Sequence, residues 1–209
     1  MGDNTDLDGA LALRTPADNR RYYAGWAARY DADFAERMAY RLPSLVADAF
    51  VAAGGQGPVL DVGAGTGLLG VALAARGIAP VDGIDISAEM LTIARTKGCY
   101  RRLDEADLTQ PLPPLPAPYA GVVSSGSFTH GHLGPEVLTP LIAIAAAGAV
   151  FAFSVNAGVW DARGFAAALD ALAPRIENLT ITRQPIYHGA AGDHTTDTAQ
   201  IVSFRLRHR

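Results

Sequence analysis

The sequence predicts an α/β fold: a doubly wound, mostly parallel seven-stranded sheet with an antiparallel last strand. Three observations carry that expectation. Short apolar runs alternate with helix-period segments between residues 59 and 172, the pattern of repeated βαβ units. A glycine-rich turn, Gly63-Ala64-Gly65-Thr66-Gly67, joins the first apolar run to a helix. Beyond residue 172 the alternation stops. Ile176 to Tyr187 and Ala199 to Arg207 both show period-two patterning with no helix between them, which reads as an antiparallel hairpin closing the sheet.

The elements follow in order. Residues 1 to about 18 are polar and acidic with little periodicity and are expected to form a loose leader before a single domain over 19–209. Tyr23, Trp26, Tyr30 and Phe34 then recur at helical intervals. Pro43 divides the segment Arg20 to Phe50 into two helices, because the residue before a proline disfavours helix. The run Gly54-Gly55-Gln56-Gly57-Pro58 ends the second one. This helical region, about 20–53, is expected to act as a lid.

Val59 to Val62 is a short buried strand, Leu68 to Arg76 a helix closed by Gly77, and Val81 to Ile86 a second strand. Ser87 is an N-cap for a helix through Lys97, which Gly98 stops. Tyr100 to Leu103 is a third strand, the proline-rich Pro111 to Pro118 a loop, and Tyr119 to Ser124 a fourth strand. Pro135 to Ala147 reads as helix, Ala149 to Val155 as a fifth strand, and Phe165 to Leu172 as helix. No internal repeat and no second domain emerge.

Composition narrows the function. Of 209 residues, 49% are hydrophobic, ample for one buried core. The net charge is −4 and the basic residues form no long run, so nucleic acid is not an expected partner. Cys99 is the only cysteine, which excludes an internal disulfide. Lying between a helix end and a strand, it is expected to be a buried, inert thiol. The N-terminus lacks the basic-then-apolar pattern of a signal peptide. Gly2 would suit myristoylation, but Asp6 stands where a hydroxyl residue is wanted. The longest apolar stretch, Leu138 to Val155, is interrupted by Pro140, Gly148 and Ser154 and is not a membrane span. No membrane association and a cytoplasmic location are the expectations.

The chemistry concentrates after the first strand. Glycines there allow a tight turn and close approach of backbone to a ligand. Their spacing is Gly-x-Gly-x-Gly, not the Gly-x-Gly-x-x-Gly of dinucleotide enzymes, and Asp61 precedes them. No Lys-Ser or Lys-Thr follows, which excludes a phosphate P-loop. Asp85 ends the second strand, where a carboxylate can accept from both hydroxyls of an adenosine ribose. It could instead cap the next helix, but Ser87 fills that role better. Asp107-Leu108 follows the third strand, where an acid can accept from an adenine amino group while Leu108 packs on the ring. In an open parallel sheet the ligand lies at the carboxyl ends of the strands. That edge gathers Gly63 to Gly67, Asp85, Asp107 and the turn expected at Ser124-Ser125-Gly126.

These residues resemble class I S-adenosylmethionine (SAM) dependent methyltransferases. Asp61 to Gly67 is similar to the motif that cradles the methionine part of SAM, Asp85 to the ribose acid, and Asp107 to the adenine acid. The closing hairpin is similar to that family's antiparallel last strand. A narrower resemblance, over about residues 22–156, is to the Williams–Beuren-region methyltransferase-like proteins. It rests on Trp26-Ala27-Ala28-Arg29-Tyr30-Asp31, Ala94 to Tyr100 and Gly126 to His132. Ala64 stands where many relatives have cysteine. The resemblance implies SAM as cofactor. It implies a binding set of Asp61, Gly63, Ala64, Gly65, Gly67, Asp85, Ile86, Met90, Asp107, Leu108 and Ser124, with Trp26 and Tyr30 from the lid.

Methyl transfer from a sulfonium is an in-line displacement, so the protein must chiefly align the reacting atoms and exclude water. A base helps only if the acceptor must lose a proton. His130 and His132, after the fourth strand, are the candidates. As metal ligands they lack a third partner at a recognisable spacing, so no metal is expected. Asn156, Trp160 and Tyr187 fall at the same end of the sheet and are candidates for an acceptor pocket. Lacking any domain for recognising DNA, RNA or protein, the chain is expected to use a small-molecule acceptor. Two rivals stay open at this point: a catalytically silent SAM-binding protein and a nicotinamide-dependent oxidoreductase.

Overall fold

The structure, a computed structural model, describes residues 9, 10, 13, 15–188 and 196–208; most of the expected leader lies outside them. Seven strands form one sheet: β1 (Val59–Val62), β2 (Val81–Asp85), β3 (Arg102–Glu105), β4 (Tyr119–Phe128), β5 (Ala145–Asn156), β6 (Ile176–Pro185) and β7 (Thr198–Leu206). Their order is β3-β2-β1-β4-β5-β7-β6. The first five are parallel to one another. β7 slots antiparallel between β5 and β6, as the hairpin pattern predicts. The order reverses between β1 and β4, the switch point at which open α/β sheets bind ligands.

Burial explains the strands. β1 is inaccessible along its whole length, so its residues alternate between two cores rather than between core and water. Leu60 and Val62 join Ile84, Phe128, Phe151, Phe153 and Phe204 on one side. Val59 joins Val46, Phe50, Leu73, Val81 and Val123 on the other. On that second side, helix α2 (Leu42–Ala52) lies unusually close to the sheet. A β-carbon on Gly121 would sit 2.4 Å from the Phe50 ring, so the absent side chain is what admits it.

Several boundaries move for identifiable reasons. Helix α1 (Pro16–Trp26) starts earlier than the periodicity suggests, because Thr15 accepts from the Asp18 amide and Pro16 occupies the first turn. A π-helical turn, Tyr30–Glu36, follows. The break before α2 falls ahead of Pro43, not at it. Pro43 sits in the first turn of α2, where its missing N–H is harmless. Tyr40 instead pairs with Tyr187 in an isolated bridge.

β3 starts two residues beyond Tyr100, whose ring is drawn behind the glycine-rich turn. The turn expected at Ser124-Ser125-Gly126 is strand: β4 runs on to Phe128 through a register shift, with Gly126 at φ +78°. The helix expected over Pro135 to Ala147 is a 3₁₀ turn, Pro135–Val137, and a short α5 (Leu138–Ala143). Ala145 already pairs with Tyr119 in β5, so sheet pairing overrides the helix propensity of the alanine run. The remaining helices are α3 (Leu68–Ala74), α4 (Ala88–Thr96), α6 (Ala157–Trp160) and α7 (Phe165–Leu172). Among the described residues no helix is long and apolar enough to cross a membrane.

Candidate active site

The site begins where β1 stops. The amides of Gly63 and Ala64 donate to the Ile84 carbonyl at 2.8 and 3.1 Å, folding the turn against β2. Gly63 has φ +71°, and a β-carbon on it would lie 2.0 Å from Ser127 Oγ, so no other residue fits there. A β-carbon on Gly65 would meet open space, the side from which a ligand can approach. Gly67 does different work. It caps α3, and a β-carbon on it would lie 3.0 Å from the Tyr100 ring. The third glycine therefore serves packing behind the turn and not the ligand face.

Asp85 closes the turn from the end of β2. Its Oδ2 accepts from the Gly65 amide at 2.8 Å and its Oδ1 from the Ser87 amide at 2.9 Å. Each oxygen keeps a second acceptor site. Burial raises its carboxyl pKa, and the Ser87, Gly65 and Ile86 amides oppose that rise. Ser87 caps α4 by accepting from the Met90 amide, so Asp85 is not needed as the cap. Asp107 sits beyond β3 in a turn fixed by Thr109, whose amide and hydroxyl both donate to Asp107 Oδ1.

These groups line one cavity of about 650 Å³. Of the residues predicted for the site it collects Gly63, Ala64, Gly65, Asp85, Ile86, Met90, Asp107, Leu108, Tyr30, His130 and His132. Four predicted residues are not on its wall. Asp61 is fully buried and accepts from Tyr100 Oη at 2.6 Å; burial lifts its carboxyl to about 7, against the lowering effect of that bond. Gly67 lies behind the turn as described. Ser124 is buried and donates to the Val62 carbonyl at 2.7 Å, bracing β4 against β1. Trp26 is buried among the aromatic residues of the lid.

Residues of α1 and the π-helical turn, the segment expected to form a lid, line the cavity through Asn19, Tyr23 and Tyr30. Asn19 Nδ2 donates to the Gly131 carbonyl at 3.0 Å, and Arg20 Nε to the Ile86 carbonyl at 3.3 Å. Asp31 accepts from Thr66 Oγ1 of the glycine-rich turn and from Lys97 Nζ of the segment after α4, each at 2.6 Å. Lid and turn are thereby one hydrogen-bonded unit. Tyr23 of the aromatic stripe and Thr66 of the glycine-rich turn also line the cavity, as do Asn19, Ser127 and Arg163, which the sequence does not single out. Asn19, Ser127 and Arg163 carry no periodic or spacing signal.

On the far wall, His130 is exposed and His132 half-buried. His132 Nδ1 lies 2.6 Å from the His130 carbonyl and Nε2 3.1 Å from Tyr23 Oη. Its pKa is lowered, first by burial. Of the acceptor-pocket candidates, Asn156 and Tyr187 line a side chamber of about 60 Å³ beside the lid aromatics. Trp160 stacks on Phe165, with ring centroids 6.0 Å apart. Cys99 is half-buried before β3, its thiol pushed up by burial. Among the described residues no group of three or more His, Cys, Asp or Glu is placed to hold a metal ion.

A nucleoside attached to a short charged tail fits this arrangement: an open-faced glycine turn, a strand-end acid with acceptor capacity, and a second acid beside a buried leucine. The fold and the cavity are similar to those of class I SAM-dependent methyltransferases. Residues 59–147 match the family model described as a methyltransferase domain. The chain is 35% identical over 122 residues to methyltransferase-like protein 27 of Homo sapiens, a match covering 56% of this chain. It spans about half, 49%, of that relative's length.

Among solved structures, it is similar to magnesium protoporphyrin IX methyltransferase from Synechocystis PCC 6803 with bound SAM. That similarity has a TM-score of 0.61 at 21% identity, covering 94% of this chain and 98% of the other. It is likewise similar to DhpI in complex with S-adenosylhomocysteine, at TM-score 0.63 and 20% identity, covering 93% and 98%. At these identities the structures establish the fold.

Proposed function

We propose that this chain binds SAM in the 650 Å³ cavity and transfers its methyl group to a small-molecule acceptor. The observation that carries the reading is the closure of the Gly63–Gly67 turn onto Asp85, which presents open backbone and a strand-end acid to one cavity. Asp85 would hold the ribose hydroxyls, Asp107 and Leu108 the adenine, and the Gly63–Gly65 backbone the methionine end. Bound SAM supplies an activated methyl on a positively charged sulfur, so the displacement needs no metal. The residues of the chain bind, orient and keep water away. The lid aromatics Tyr23 and Tyr30 form the dry side of the cavity. The human methyltransferase-like relative and the two structural neighbours, one with bound SAM and one with S-adenosylhomocysteine, support the same reading. The acceptor would be met by the wall beyond the cofactor, formed by His130, His132, Leu133, Val159 and Arg163.

Calorimetry with SAM, S-adenosylhomocysteine and NAD tests the cofactor. Binding of the first two and none of the third is expected; NAD binding with no heat from SAM overturns the reading. Incubation with methyl-labelled SAM and a metabolite extract, read by mass spectrometry, then identifies the acceptor.

A further inference from the structure

Tyr23 of the lid and His132 of the loop after β4 meet on the cavity wall. The His130 carbonyl can only accept, so the 2.6 Å contact to His132 Nδ1 places the proton on that nitrogen. Nε2 therefore presents its lone pair. Tyr23 Oη, 3.1 Å away, donates to it. The rings meet edge to face with centroids 5.6 Å apart, and both residues line the main cavity. The phenol hydroxyl thus occupies the Nε2 lone pair, and the residue that carries it lines the cavity. Burial holds the Tyr23 phenol well above its usual range, so the phenol takes part only by passing a proton on as it receives one.

The wall around this pair is matched in charge. Arg163 Nη1 donates to the carbonyls of His132 and Leu133 at 2.9 and 3.3 Å, and its Nη2 lies 3.8 Å from Glu136 Oε1. Leu133, Val159 and Tyr30 supply apolar surface beside it. Such a wall suits a neutral group better than an ionised one, because an unpaired charge is costly away from water.

We infer that Tyr23 is the residue that meets the acceptor, with His132 the base behind it, and that the acceptor is a neutral hydroxyl compound. The inference rests on the methyl-transfer reading above. The step balances. The acceptor hydroxyl gives its proton to Tyr23 Oη while Tyr23 gives its own to His132 Nε2. The acceptor oxygen's electron pair forms the new bond to methyl, and the pair of the breaking carbon–sulfur bond returns to sulfur. A neutral amine or a thiolate would need no such relay.

The test uses the full chain with ¹⁵N-labelled histidine and phenol as the hydroxyl probe. Long-range ¹H–¹⁵N spectra across pH are recorded for the wild type and for Tyr23→Phe, each saturated with S-adenosylhomocysteine. Tyr23→Phe keeps the ring that packs on Trp26 and Tyr30. The His132 signal is expected in the Nδ1–H form, with its pKa rising by about half a unit or more in the variant, because the lost donor favoured the neutral ring. Adding phenol is expected to move the Nε2 signal in the wild type, through the Tyr23 hydroxyl. A His132 pKa indifferent to the substitution overturns the inference. So does an Nε2 signal that phenol leaves still in the wild type, which would make the pair a lid contact only. Calorimetry on the same samples keeps the two readings apart. S-adenosylhomocysteine affinity is expected to agree within about threefold between the forms; a wild type that does not bind it overturns the cofactor reading, and this inference with it.

Discussion

Asp85 and Asp61 show how neighbouring acids on adjacent strands take different work. Asp85 ends β2 with both oxygens fixed by backbone amides and capacity left over. If it holds the ribose, Asp85→Ala is expected to weaken SAM binding by about 2 kcal/mol, roughly thirtyfold, since hydrogen bonds to charged groups are the strong ones. Calorimetry checks this, and an unchanged dissociation constant would leave the acid a purely structural role. Asp61, inside β1, is held at about 7 by burial. Below about pH 4 its carboxyl is protonated in the folded and unfolded chain alike. Between there and 7 only the unfolded chain releases the proton, so the native state binds more protons and stability falls as pH rises. Above 7 the loss is complete. Asp61→Asn resembles the protonated acid and is expected to flatten this slope. Urea midpoints at about pH 5 and pH 7.5, compared between wild type and variant, measure it; parallel slopes would refute it.

At the level of elements, the lid and the glycine-rich turn are joined through Asp31. Thr66 and Lys97 both donate to it at 2.6 Å, and Thr66 lines the cavity. Ligand binding at the turn is therefore expected to order α1 and the π-helical turn. Amide hydrogen exchange over residues 16–36 is predicted to slow when S-adenosylhomocysteine is added. Asp31→Ala is expected to speed exchange there and to weaken ligand binding by about tenfold, the loss of one to two charge-assisted hydrogen bonds at a partly solvated site. Equal exchange with and without ligand would make the aromatic stripe of the lid a permanent part of the core.

Across the whole molecule, the two ends of the sheet are specialised. The cavity lies at the carboxyl ends of β1, β2 and β4. At the opposite end Asp82, almost fully buried, accepts from Arg101 at 2.9 and 2.6 Å and from Tyr119 Oη at 2.9 Å. This network ties the starts of β2 and β4 to the residue preceding β3 and touches nothing in the cavity. Tyr119→Phe is expected to lower unfolding stability by about 2 kcal/mol, because a buried carboxylate loses a donor. S-adenosylhomocysteine affinity is expected to stay as it was. Denaturant unfolding paired with calorimetry checks both, and a matching loss of affinity would show that the two ends are coupled.

What the sequence determined was the fold class and the edge of the sheet at which the cavity opens. Short apolar runs that alternate with helices pack as a parallel sheet because the helices cover both of its faces, and Gly63, Gly65, Asp85 and Asp107 mark that edge because their chemistry is local: a turn needs glycine, and a strand end displays an acid. The tertiary structure decided the rest. Spacing could not separate Gly67 from the glycines of the ligand face, since its constraint is the Tyr100 ring, brought from a distant part of the chain. Ser124-Ser125-Gly126 read as a turn because a bulged strand and a turn use the same residues, and only pairing with β5 distinguishes them. The alanine run before β5 read as helix because propensity is a weak prior that sheet burial overrides. The Tyr23–His132 contact joins residues that are remote in sequence, and no local pattern encodes a hydrogen bond made across the closure of a lid onto a loop.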